Sequence, residues 1–208
     1  MTEATGNRPE AGRELERIVF FSDAVFAIAI TILVLDINVP DGLSPTTLPA
    51  QVLGLWPKYV SYVISFLVLA IYWQAHHRVF RPITGYDGML LWLNFFFLMA
   101  VAFLPFPTSL LGEYSEEQVS VVIYAANAAL ASLLLVSISW YATSGHRLVA
   151  PGLDDEEAKT RRLQGLAVPV VFIASIAVSF FSPMWAMYSW LLLIATDPLV
   201  RWLRHHYW

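Results

Sequence analysis

Six stretches of roughly twenty mainly apolar residues, each closed off by charge, proline or glycine, constrain this chain more than any other feature. A helix needs about 20 such residues to cross a hydrocarbon core about 30 Å thick, so each stretch has the length of one crossing. They cover residues 18–39, 55–75, 89–111, 119–141, 163–181 and 184–202. The first stops at Pro40-Asp41-Gly42, the second in His76-His77-Arg78, the third at Gly112-Glu113, and the fifth turns into the sixth at Ser182-Pro183. Barrel strands would alternate over about 10 residues, whereas these runs are continuously apolar, which predicts helices. The 22-residue first run is too long for a cleavable leader and has no small-residue cleavage site, so it is expected to stay in the chain.

Composition removes other classes. The chain is 58% hydrophobic and 13% charged, against roughly 45–50% and 25% in soluble domains. Cysteine is absent, so thiolate chemistry, thiolate metal sites and disulfides are excluded. A net charge of -4 with no basic stripe excludes nucleic acid as a partner. No nucleophile, base and orienter occur together, which excludes an enzyme, and no cofactor or resident metal is implied. Ions and membrane lipids remain as partners. The adjacent pairs His76-His77 and His205-His206 project in different directions on a helix and make poor chelates.

Orientation follows from the basic residues, which resist translocation. With the amino terminus cytoplasmic, Arg8, Arg13, Arg17, Arg78, Arg81, Arg147, Lys159, Arg161, Arg162, Arg201 and Arg204 lie inside, and Lys58 alone lies outside. This predicts an all-α integral membrane protein with six crossings and both termini cytoplasmic. The expected divisions are a cytoplasmic segment 1–17, a transmembrane unit 18–204 and a tail 205–208.

Within the spans, ionisable and polar side chains carry the functional information. Asp23 lies six residues beyond Arg17 and on another face, so it must find water or a partner on another helix. Ile28, Ile32 and Leu35 stand at i, i+4 and i+7 on one face, with Thr31 beside them. Extended backwards, that face reaches Ala24, Phe21 and Arg17, while Ser22 and Asp23 point elsewhere. By spacing alone the stripe reads as lipid-facing or packing surface, as apolar stripes on transmembrane helices normally are, and not as a pore wall. Asp36 either draws cations to an outer mouth or is a helix-end carboxylate in water. Pro105 and Pro107 predict a broken outer end of the third helix, and Asp197-Pro198 a kink in the sixth.

The run RIVFFSDAVFAIAITILVLDI, with IYWQAHHRVF in the second helix and LLWLNFFFLMAVAFLPFPTSLLGEY in the third, resembles the endosomal and lysosomal potassium channel family of transmembrane protein 175. The likeness is strongest to its prokaryotic six-helix members. It implies a homotetrameric, passive, potassium-permeable cation channel in a prokaryotic plasma membrane, with no carbonyl-lined TVGYG filter. The first helix of each subunit would line a central pore. Positions matching Ile28, Ile32 and Leu35 would form its narrow hydrophobic layers, and Thr31 would supply a hydroxyl.

The resemblance also implies a polar clamp of Arg17, Ser22 and Asp23 with side chains of neighbouring helices, for which Trp73, His77 and Asn94 are the candidates. Trp73 and His77 are four apart and share a face. An interfacial histidine and an aromatic-belt tryptophan are the plainer readings of those two, whereas an amide within a span usually bonds across helices. Two other functions stay open at this point: a proton-coupled secondary transporter using Asp23 and His77 as a relay, and a non-conducting membrane scaffold.

Overall fold

The structure is a computed structural model that describes residues 8–42, 44–150 and 154–193. Among these, all regular structure is helical apart from one isolated antiparallel bridge between Ile83 and Val149. The helices are α1 (Arg8–Ile32), α2 (Leu48–Gly54), α3 (Trp56–Phe80), α4 (Gly88–Phe103), α5 (Pro105–Glu113), α6 (Gln118–Thr143), α7 (Asp155–Gly165), α8 (Ala167–Ser179) and α9 (Pro183–Ser189). Helix α1 continues into a 3-10 turn, Leu33–Asp36. Among the described residues, four helical stretches are long and apolar enough to cross a membrane: Gly12–Asp36, Trp56–Phe80, Gly88–Glu113 and Gln118–His146.

Helix α1 starts ten residues before its apolar run, because the charged segment ahead of Ile18 is rich in good helix formers and apolarity does not set where a helix begins. The third run breaks where its prolines predict. Pro105 has no amide to offer, and Leu104 N turns back to Val101 O at 3.2 Å. That leaves the Ala100 carbonyl without its usual donor, and Asn127 Nδ2 of α6 supplies one at 3.0 Å.

The fifth run is helical in two pieces rather than one. Pro169 cannot donate to Gly165, and the chain passes between α7 and α8 through a Leu166 N to Leu163 O bond of 3.2 Å. Helix α8, at 13 residues, is about 20 Å long. Ser182 caps α9, its Oγ accepting from Trp185 N, with Pro183 in the first turn where its missing amide does no harm. Of the sixth run, residues 194–202 lie outside the described residues, as do Asp197, Pro198, Arg201, Arg204 and the His205-His206 pair.

Helix α6 is the centre of the bundle, packed by α3, α4, α5, α7 and α8. Ala125, Ala128, Ala129, Ala131 and Ser132 let its neighbours approach closely. Buried hydroxyls join the helices there: Tyr72 donates to Ala128 O at 2.6 Å, Ser65 meets Tyr124 at 3.0 Å, and Thr108 donates to Ser65 at 2.8 Å. With lipid as solvent, packing and such bonds hold helices together, since apolar burial gains little. The near end of the bundle, where α1 begins, is tied by Thr84 N to Leu148 O (2.8 Å) and Tyr141 Oη to Asp87 (2.6 Å). The far end, where α1 finishes, gathers Asp36, Lys58, Ser109 and Glu113.

Candidate functional site

Helix α1 has two unlike faces. Ser22, Phe26, Ala29 and Leu33 are buried and lie within about 60° of one another round the helix. Ile28 is 59% exposed, Ile32 43% and Leu35 68%, and Thr31 is exposed beside them. The stripe therefore stands free while the other face packs on the bundle, chiefly against α4 and α3. The Thr31 hydroxyl is shared between the carbonyls of Ala27 (3.0 Å) and Ile28 (2.9 Å), so its proton points into the helix and its lone pairs face outward.

The buried face is fastened at the near end by two ties. Asn94 Nδ2 of α4 donates to Ser22 Oγ at 3.1 Å, and Ser22 donates to Ile18 O at 2.9 Å. Asn94 Oδ1 in turn accepts from His76 Nε2 at 3.0 Å. Since Asn94 Oδ1 and the Ile18 carbonyl can only accept, the chain runs one way from α3 through α4 to α1. In the second tie, Trp73 Nε1 of α3 donates to Asp23 Oδ1 at 2.9 Å. His77 Nε2 lies 3.7 Å from the same oxygen, its Nδ1 donating to the Trp73 carbonyl at 3.1 Å.

Ser22, Asp23, Trp73, His77 and Asn94 are thus brought together across three helices. Arg17 is not among them. It pairs with Glu14 at 2.8 Å on its own helix, because the six-residue step to Asp23 leaves the two about 120° apart. The adjacent histidines part company: His77 is partly exposed beside Asp23, while His76 is fully buried between Phe80 and Phe97, with ring centroids at 4.2 and 5.6 Å. Its Nδ1 has no hydrogen-bond partner among the described residues. Sequence reasoning missed His76. The available signal was its i+4 spacing from Tyr72 and i-4 from Phe80, which places it on the inward aromatic face of α3.

At the far end, Lys58 Nζ donates to the Asp36 carbonyl at 3.3 Å and pairs with Glu113 at 3.2 Å, and Ser109 Oγ donates to the Asp36 carboxylate. Asp36 is therefore engaged by α3 and α5 rather than free in water. Lys58 and Ser109 carried no signal in the sequence beyond the isolation of Lys58 among the outer loops.

An all-helical, multi-pass membrane bundle whose first helix is pinned along one face and bare along the other defines the class. The chain is similar in sequence and fold to known proteins. The model of the family "Endosomal/lysosomal potassium channel TMEM175" matches residues 17–105. A potassium channel of Streptomyces collinus is 36% identical over 81% of this chain and 84% of its own length. One of Chamaesiphon minutus is 37% identical over 81% of this chain and 86% of its own. The crystal structure of a lysosomal potassium-selective channel TMEM175 homolog from Chamaesiphon minutus superposes with a TM-score of 0.79 at 31% identity, covering 89% of this chain and 97% of that one. The chain belongs to the TMEM175 family, a family of channels and not of enzymes.

Proposed function

We propose that this chain forms a passive potassium-permeable channel, a homotetramer with six crossings per subunit. It is set in a prokaryotic plasma membrane with both termini cytoplasmic, and Ile28, Thr31, Ile32 and Leu35 of each α1 line the pore. The observation that carries the reading is the division of α1 into a pinned face and a bare one. A pore wall must be held against its own subunit while facing the axis, and two polar ties behind a continuous apolar stripe meet that requirement. The names of the bacterial relatives support potassium as the ion, and the basic-residue asymmetry supports the orientation.

In this reading the stripe narrows the path with side chains that cannot replace an ion's hydration shell. Preference among cations is then set by width and by the cost of partial dehydration. The outward lone pairs of Thr31 offer the only oxygen ring within the stripe, of the right polarity for a cation. Ser22 and Asp23 face away from the stripe and hold the helix, which favours a channel over a carrier relaying protons through Asp23 and His77.

The test is flux from purified protein in liposomes with potassium and sodium gradients. Ile28→Asn and Leu35→Ala should raise conductance and weaken the preference for potassium. Unchanged permeation in both, with normal assembly, returns the stripe to packing surface.

A further inference from the structure

The far end of α1 carries ties that the proposed pore does not use. Over Leu33–Asp36 the helix tightens to 3-10 geometry, closed by Ile37 N bonding to Val34 O at 3.1 Å. Tightening has an angular consequence. Three residues make a full turn in 3-10 geometry but about 300° in an α-helix, so Leu35 stands directly over Ile32. Relaxation to α geometry would swing Leu35 by about 60°, moving its side chain about 5–6 Å sideways at a helix radius of about 5–6 Å.

The tightening also places Asp36 over Leu33, whose side chain is buried against the bundle, and so aims the carboxylate at α5, where Ser109 donates to it. The Asp36 carbonyl, at the end of the helix, accepts from Asn38 N at 3.0 Å and keeps a second lone pair. Lys58 Nζ supplies a donor to it at 3.3 Å. The lysine side chain is mostly buried, and Glu113 holds its charge at 3.2 Å. Gly112 leaves room for this arrangement, since a Cβ there would fall 2.8 Å from Ser61 Oγ and 3.3 Å from Lys58 Cγ. Lys58 is the one basic residue expected outside, and this contact gives it a task.

We propose that Lys58, Ser109 and Glu113 are positioning residues for the outermost layer of the pore: they hold the last turn of α1 in its tightened form and so keep Leu35 stacked over Ile32. The proposal rests on α1 lining the pore. It makes the outer layer a two-position element, with Leu35 stacked over Ile32 while the ties are made and turned back by about 60°, into line with Ile28, when they are lost. Each hydrogen bond removed should shift the balance between the two forms by roughly fivefold.

The experiment uses the full-length tetramer in liposomes and reads two quantities. One is the potassium-over-sodium preference; the other is disulfide cross-linking between subunits from Leu35→Cys, with Ile28→Cys as the reference layer. Lys58→Met and Ser109→Ala should change the preference and the cross-linking efficiency at position 35 while leaving cross-linking at 28 as it is. Lys58→Arg, which keeps a cation able to donate twice, should retain both. If Lys58→Met does not assemble, Ser109→Ala and Glu113→Gln carry the test. Unaltered preference and cross-linking in assembled variants, in a preparation where Leu35→Ala does alter permeation, overturns the positioning role alone. A silent Leu35→Ala removes the pore reading and the proposal with it.

Discussion

Asn94 is the hinge of the near-end tie, and Asn94→Leu tests it with little change of volume, so that no cavity confuses the result. The substitution deletes two interhelical bonds, to Ser22 and from His76. Such bonds in membrane proteins average about 0.6 kcal/mol each, or about 1.2 kcal/mol together. The larger loss falls on His76. Its Nδ1 already lacks a partner among the described residues, so losing Asn94 leaves a fully buried imidazole with both nitrogens unsatisfied, at about 1–3 kcal/mol. The expected destabilisation is about 2–4 kcal/mol.

If that account is right, removing the stranded imidazole should recover most of the loss. His76→Phe in the Asn94→Leu background places an aromatic ring between Phe80 and Phe97, where an apolar ring needs no partner. The assay is reversible unfolding of the four proteins of this double-mutant cycle in mixed micelles, with tetramer content followed in parallel. A coupling energy indistinguishable from zero, with His76→Phe restoring nothing, would refute the reasoning and reduce the His76–Asn94–Ser22 chain to an incidental contact.

Asp23→Ala should weaken assembly or thermal stability before it alters ion preference, because Asp23 bonds Trp73 on the flank away from the stripe; stable tetramers with changed selectivity would instead place Asp23 in the conduction path. A pH effect is expected at the near-end surface. Partial burial raises the Asp87 carboxyl, but the Tyr141 hydroxyl, the amides of Leu90 and Met89 and the charge of Arg147 outweigh it and hold the group below the usual carboxylate range. A depressed folded-state value means that the contribution is fully present above the unfolded carboxylate range and is lost as pH falls through the folded value. Tyr141→Phe should therefore flatten the acid limb of a stability–pH curve, and an unchanged limb counts against the assignment.

Much of the fold was legible because a bilayer imposes a length rule that needs no tertiary information. The first four apolar runs, the break at Pro105 and the separation of Ser22 and Asp23 from the Ile28 stripe follow from residue spacing and backbone chemistry. The break's consequence was not legible. Asn127 of α6 answers a carbonyl 27 residues away, and no local pattern announces such a partner. His76, read in the sequence only as half of an adjacent pair that makes a poor chelate, finds its partner Asn94 on another helix. Arg17, whose place in the motif suggested a clamp, pairs with Glu14 on its own helix.

The chain by itself determined which residues share a face of α1, since helical periodicity is a property of the backbone. Which face turns inward was left to the tertiary structure. Both faces are apolar, and in lipid apolarity does not choose between neighbour and solvent, so the choice falls to the few polar groups that find partners. Ser22 finds Asn94, Asp23 finds Trp73, and Asp36 finds Lys58 and Ser109, at sequence separations of 72, 50, 22 and 73 residues. Contacts that distant exist only once the helices are side by side, and they are what leaves Ile28, Ile32 and Leu35 bare.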